Sequence, residues 1–301
     1  MPADSSPPSR AESAAPVAVL ATDLDGTLLR ADGTLSPRTR DAIAAAQRAG
    51  VPTVFVTARP PRWLDHLADV VGDATGGIAL SANGAFEYHV ASRTVTEVGT
   101  IAPADLAAIA ARLRAAVPGI AFAVERADGF VREETFVRRR RLPTDDRVET
   151  WDAVASVAAG KLLAVAPDLA PAAFHDAVAA ALGDTGELGF SGAVGLAEIT
   201  ARGVTKASGL ARWCAARGVD RHEVWAVGDM PNDLPMLRWS GRSFAVANAH
   251  PDVRAAVHEV VAANEQDGVA DILDRIALDR IAGRAGRAGD RAVAPASRQE
   301  S

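Results

Sequence analysis

Asp23 and Asp25 stand one residue apart at the end of an apolar run, in LATDLDGTLLR. Carboxylates in that position hold something: a cation, a substrate, or each other. Two other apolar, β-branched runs also end in oxygen-bearing side chains, VPTVFV in Thr57 and EVWAVG in Asp229. In an open α/β sheet, ligands bind beyond the carboxyl ends of the strands, so these ends are expected to converge. Gathered carboxylates repel one another and weaken the fold unless a cation sits among them. Oxygen ligands, a lone cysteine and no paired histidine spacing point to a hard divalent ion such as Mg²⁺. Lys206 lies near the start of a helix-like segment, where its ammonium and the helix's first N–H groups face an anion together with the Thr57 hydroxyl. This set suits phosphoryl transfer. One aspartate attacks phosphorus as a nucleophile, and the other protonates the leaving oxygen and later takes a proton from water. Gly26 permits the sharp turn that brings Asp25 back over the site.

The elements that must place these residues alternate in type. VAVLAT (17–22) reads as a first strand, and SPRTRDAIAAAQRAG as a helix with Ser36 as N-cap, Pro37 in its first turn and Gly50 past its end. The strand VPTVFVT, the helix GVTKASGLARWCAARG and the strands EVWAVGD and SFAVAN follow in order. The closing run DGVADILDRIALDRI carries Val269, Ile272, Ile276 and Ile281 at roughly helical spacing, a face expected to pack on the sheet. Such alternation predicts a parallel sheet with helices on its faces. From 85 to 198 the pattern changes to paired strands (AFEYHV, TVTEVG, KLLAVAP) with helices from Pro103 to about Val117 and over APAAFHDAVAAALG. These are expected to form an inserted α+β domain, leaving 16–84 and 199–282 as the core and 1–15 and 283–301 as disordered tails.

The chain has 301 residues, 49% of them hydrophobic, enough for a large core. A net charge of −6 offers no general attraction to nucleic acid or anionic membranes. The basic run RRRR at 138–141 is offset by Glu133, Glu134, Asp145 and Asp146 and reads as a solvated loop. Cys214 reads as a buried core thiol, because no redox motif surrounds it. Trp63 is expected in the core. With no apolar run of about 18 residues and a Pro/Ser-rich start lacking an apolar signal core, a cytoplasmic location is the expectation.

DLDGT at 23–27, VTAR at 56–59, the lysine of GVTKASGL and GDMPNDLPML at 228–237 resemble, in that order, the four motifs of the haloacid dehalogenase-like phosphohydrolases. The long stretch between the second and third motifs, with SANGA at 81–85 and VANAHPDVRAAVHEVVAANEQDGVA at 246–270, is similar to the Cof-type subgroup with a large type-two cap. The resemblance covers nearly everything but the tails. It implies a doubly wound, Rossmann-like α/β core with an inserted α+β cap, and a Mg²⁺-dependent phosphatase acting on small phosphorylated metabolites such as sugar phosphates or phosphorylated cofactors. By position, Asp23 would be nucleophile and metal ligand, and Asp25 acid/base and metal ligand through its backbone carbonyl. Asp229 and Asp233 would complete the metal site. Thr57, Lys206 and Asn232 would hold phosphate, with Ala58, Arg59 and Asn83 towards substrate or cap. Ala58 replaces the glycine usual in the second motif, which matters only if that residue must adopt positive φ.

Other readings stand beside this one. Asn83 is also a hairpin corner, Arg59 a loop charge and Asn232 a turn residue. A phosphosugar mutase of the same superfamily would use the same motifs, and a phospho-receiver module also gathers aspartates and a lysine but needs no such long insertion. Oligomeric state is not legible.

Overall fold

The structure, a computed structural model, describes residues 16–65, 78–137 and 146–292, with side chains as far as 283. In chain order the elements are β1 (Val19–Thr22), α1 (Pro37–Arg48), β2 (Thr53–Val56), β3 (Ile78–Ser81), β4 (Phe86–His89) and β5 (Thr94–Glu97). Next come α2 (Pro103–Ala116), β6 (Ala121–Arg126), β7 (Gly129–Arg132), β8 (Arg147–Val148), α3 (Trp151–Ala155), β9 (Lys161–Val165), α4 (Pro171–Leu182), β10 (Gly186–Gly189) and β11 (Ala197–Ala201). The chain closes with α5 (Lys206–Ala215), β12 (Val224–Gly228), α6 (Leu234–Trp239), β13 (Arg242–Val246), α7 (Pro251–Ala256), β14 (Glu259–Val261) and α8 (Gly268–Ala292).

Eight strands form the first sheet in the order β14-β13-β12-β1-β2-β3-β4-β5. The pairs from β14 through β3 are parallel, and every residue of β1, β2 and β3 is buried. Strands buried on both faces need helices on both, which is why these runs are apolar throughout instead of alternating. α1 packs against α8, and α5 against α6. α1 starts where Ser36 Oγ accepts the Thr39 N–H at 3.0 Å, with Pro37 in its first turn. Cys214 is buried in the core, as are Val269, Ile272 and Ile276.

The second sheet has six strands, β10-β11-β9-β6-β7-β8, antiparallel except for β7 with β8. Alternation divides its side chains. Phe122, Val124, Leu162 and Ile199 face the hydrophobic layer formed with Leu106, Leu113, Phe174 and Val178 of α2 and α4. Ala121, Ala123, Leu163 and Phe130 form a separate apolar group on the other face with Phe136. The alternation that gives Ala121 and Ala123 to that face also gives it Glu125, and likewise Lys161 beside Leu163.

Several expectations change. β4 and β5 continue the first sheet, β4 antiparallel to β3 and β5 antiparallel to β4, because the short turn at Ala82–Gly84 folds the chain back along that edge. The expected change of pattern at 85 therefore falls inside one sheet, and β11 carries the second sheet past 198. Helix α8 runs on through Ala292, into the stretch expected as a tail; its Ala- and Arg-rich sequence has high helix propensity. Ile281 is 59% exposed, since α8 has passed the sheet by then. Trp63 is only half-buried, at the rim of the sheet under the Arg62 guanidinium. The RRRR run at 138–141 lies outside the described residues. Among the described residues no helix is long and apolar enough to cross a membrane.

Candidate active site

β1 and β12 are parallel neighbours, with Thr22 opposite Val227, so the residues just past their ends are side by side. Asp23 donates its N–H to Val227 O at 3.1 Å and is buried, as are Asp229 and Asp233. One carboxylate oxygen from each of Asp23, Asp229 and Asp233 lies within 4.8 Å of the others. Lys206, at the first position of α5, sends Nζ between two of them, 2.6 Å from Asp23 Oδ1 and 2.7 Å from Asp233 Oδ1. The second oxygen of Asp233 accepts the N–H groups of Asp229 and Met230, each at 3.0 Å, which fixes the turn after β12. Thr27 donates to Asp229 Oδ1 at 2.8 Å.

Two glycines make this closeness possible. Gly26 has φ +74°, and a Cβ there would lie 2.5 Å from Asp229 Oδ2. A Cβ on Gly209 would lie 2.8 Å from the Gly84 Cα, so α5 sits directly on the Ala82–Gly84 turn and delivers Lys206 to the cluster.

The electrostatics follow from burial. Burial lifts the Asp23 carboxyl well above its ordinary range against the pull of Lys206, and Asp233 and Asp229 push it the same way. Asp229 is pushed up to about 6, first by burial and then by Asp233. Burial opposes the charge on Lys206, but Asp23 and Asp233 outweigh it and raise its pKa. With all three carboxylates ionised, one ammonium leaves two negative charges, which one divalent cation would balance. An all-oxygen donor set of this kind fits a hard ion.

Asp25 is not in this cluster. Its carboxylate is held by Arg59 in a two-point ion pair, Nε to Oδ2 at 2.7 Å and Nη2 to Oδ1 at 2.6 Å, and its side chain is 59% exposed. The resemblance makes Asp25 a metal ligand through its backbone carbonyl, which the direction of its side chain does not affect. Thr57 is buried, and its hydroxyl accepts the Arg59 N–H at 3.1 Å. Ala58 is not among the residues with positive φ, so the missing glycine causes no backbone strain. Asn83 sits at the hairpin corner with φ +58° and accepts from Asn232 Nδ2 at 3.3 Å. The Asn232 Oδ1 is buried with no partner.

A family model described as haloacid dehalogenase-like hydrolase matches residues 20–273. The chain belongs to this family. A phosphoglycolate phosphatase of Methanothrix thermoacetophila is 40% identical over 75 residues, 25% of this chain but only 34% of that relative. The pyridoxal phosphate phosphatase YbhA of Escherichia coli is 28% identical over 85% of this chain and 97% of its own length. The solved structure of the sugar phosphatase BT4131, of haloacid dehalogenase subclass IIB, superposes with a TM-score of 0.73 over 85% of this chain and 98% of that one, at 21% identity, and shows the shared fold.

In this haloacid dehalogenase-like hydrolase the second sheet's rim rests on the loops of the first. Lys161 Nζ donates to Ala58 O at 2.6 Å. A Cβ on Gly189 would lie 3.2 Å from Asn83 Nδ2, and one on Gly192 3.2 Å from Met230 Cε. Arg62 pairs with Glu125 at two points, one at 3.0 Å through Nη2. Sequence reasoning did not find Thr27, Arg62, Glu125, Lys161 or Glu198. The only signal for Lys161 and Glu198 is a charge inside an apolar strand, in GKLLAV and GLAEITA.

Proposed function

We propose that the chain is a Mg²⁺-dependent phosphatase that hydrolyses small phosphorylated metabolites through an aspartyl-phosphate on Asp23. The observation that carries this is the buried Asp23–Asp229–Asp233 cluster with Lys206 inserted between two of its members. Likeness to relatives named as phosphoglycolate and pyridoxal phosphate phosphatases supports phosphoric monoesters as the substrate class.

Asp23, Asp229 and Asp233 are the side chains that would hold the ion. When bound, Mg²⁺ supplies positive charge to the phosphoryl oxygens and lowers the repulsion between them and Asp23. Lys206 and the Thr57 hydroxyl bind phosphate oxygens and orient phosphorus against Asp23, with Asn232 beside them. Asp23 forms the new P–O bond, and the bond from phosphorus to the leaving oxygen breaks as Asp25 gives that oxygen a proton. Asp25, then a carboxylate, takes a proton from the water that attacks phosphorus, and inorganic phosphate leaves Asp23 restored. The Arg59–Asp25 ion pair holds Asp25 as a carboxylate, so it must open before Asp25 carries the proton that it gives to the leaving oxygen. The second sheet with α2–α4 acts as a cap, since its rim covers Ala58, Asn83 and Met230 and excludes water from the first step.

Release of inorganic phosphate from p-nitrophenyl phosphate, with and without Mg²⁺, tests this reading. Turnover is expected to require the ion and to fall by roughly 10³-fold or more in Asp23→Asn. A variant as active as the parent protein would end the assignment.

A further inference from the structure

We infer that Lys161 and Glu198 form the subsite for the leaving group, and that this subsite selects a neutral or cationic, hydrogen-bond-donating alcohol over an anionic one. The inference rests on the phosphatase reading above.

Both side chains are buried, Lys161 with 2% and Glu198 with 9% of its side chain exposed. Lys161 lies on the face of β9 that turns to the first sheet, where its Nζ meets Ala58 O at 2.6 Å and Glu198 Oε1 at 3.2 Å. Ala58 directly follows Thr57, so the pair overhangs the loop assigned to phosphate. Glu198 is opposite Gly189 across β10 and β11, and Gly189 is the residue packed on Asn83. The pair is therefore bracketed by the loops that carry Thr57 and Asn83.

Its hydrogen bonding is incomplete in a specific way. An ammonium has three N–H donors, and two of those on Lys161 are engaged. Glu198 Oε2 is buried and has no partner. Buried polar atoms are nearly always satisfied, and a charged acceptor left bare is unfavourable until a donor reaches it. A tie between the two sheets needs Lys161 and Ala58 alone; it does not account for a bare carboxylate oxygen beside them.

A hydroxyl group completes the arrangement, giving its hydrogen to Glu198 Oε2 and accepting the third N–H of Lys161. A ring N–H or an ammonium satisfies Oε2 equally. A carboxylate on the leaving group would instead face Oε2 as a like charge. Among the described residues, Arg62 is already bound at two points to Glu125, Lys161 is shared between Ala58 O and Glu198, and Ala121, Ala123, Leu163 and Phe130 on this face are apolar. The one N–H left on Lys161 offsets that repulsion only in part, because its charge is already shared with Glu198.

A matched pair of esters reads this directly: 2-hydroxyethyl phosphate and 2-phosphoglycolate differ only in carrying a hydroxymethyl or a carboxylate group. With the full chain and Mg²⁺, kcat/KM is expected to favour 2-hydroxyethyl phosphate by roughly tenfold or more, and that ratio to fall by roughly tenfold in Glu198→Gln, whose amide donates to a carboxylate. A parent ratio near one or in favour of phosphoglycolate overturns the inference, as does a ratio that Glu198→Gln leaves in place. If thermal melting shows Glu198→Gln to be unfolded, the parent ratio decides alone. Phosphate release from p-nitrophenyl phosphate is run alongside: its absence removes the phosphatase reading, whereas its presence with an unfavourable ratio removes only the subsite.

Discussion

At Lys206 one ammonium, 2% exposed, serves two carboxylates, and no other cation contacts Asp23 or Asp233 through the hydrogen bonds of the described residues. Removing it leaves three acidic groups facing one another in a buried space. Lys206→Met is expected to destabilise the metal-free protein by about 3–5 kcal/mol near pH 8, the usual scale for breaking a buried pair from one side. The loss should be smaller near pH 5, because protons then replace the ammonium as the neutralising charge. Urea titrations in a chelator at the two pH values check both size and direction; equal losses would show that Lys206 is held by packing and not by charge. Ala58 is a quieter case at the same scale. Its backbone avoids positive φ, so the second motif keeps its N–H groups without glycine.

Helix α5 illustrates what an element does for chemistry. Thr205 caps it, accepting the Ser208 N–H at 3.2 Å while Ser208 Oγ accepts the Thr205 N–H at 2.9 Å, so Lys206 begins the helix in a fixed orientation. The contact that the end of its first turn makes with the Ala82–Gly84 turn depends on Gly209 having no side chain. In an isolated helix Gly→Ala would stabilise by roughly 1 kcal/mol. Here the added Cβ would meet the Gly84 Cα at 2.8 Å, a backbone atom that cannot swing aside. Gly209→Ala is therefore expected to destabilise by about 1–3 kcal/mol, the range for overpacking, and to raise KM by moving Lys206. A higher urea midpoint in this variant would show that α5 has slack against the turn.

For the molecule as a whole, the acidic cluster sets how pH and divalent ions act on stability. Asp23 and Asp229 titrate above the ordinary 3.8 of an aspartate, Asp229 at about 6. The folded chain thus holds these protons more tightly than the unfolded chain, so their contribution to stability is greatest at low pH. The share of Asp229 is lost as pH rises from about 4 through about 6. A cation competes with the same protons for the same oxygens. Millimolar Mg²⁺ is expected to raise the melting temperature clearly near pH 8 and little near pH 5, with Asp229→Asn losing most of the gain. A Mg²⁺ shift independent of pH would place the ion elsewhere. This readout needs no turnover.

The sequence by itself determined the elements and the nature of the chemistry. Apolar β-branched runs ending in Asp23, Thr57 and Asp229 are local facts, and a parallel sheet has only one edge on which such ends can meet. Helix boundaries at Ser36, Pro37 and Gly203–Lys206 were legible for the same reason, since capping depends on neighbours in the chain. Only the tertiary structure decided that Asp25 turns out to Arg59, that β4 and β5 extend the first sheet, and that Lys161 reaches Ala58 from the other sheet. These outcomes depend on which long-range partner a charged tip or an open sheet edge finds. No local periodicity carries that information, because a lysine at the head of an apolar strand looks the same whether it meets solvent or a carbonyl from a distant loop.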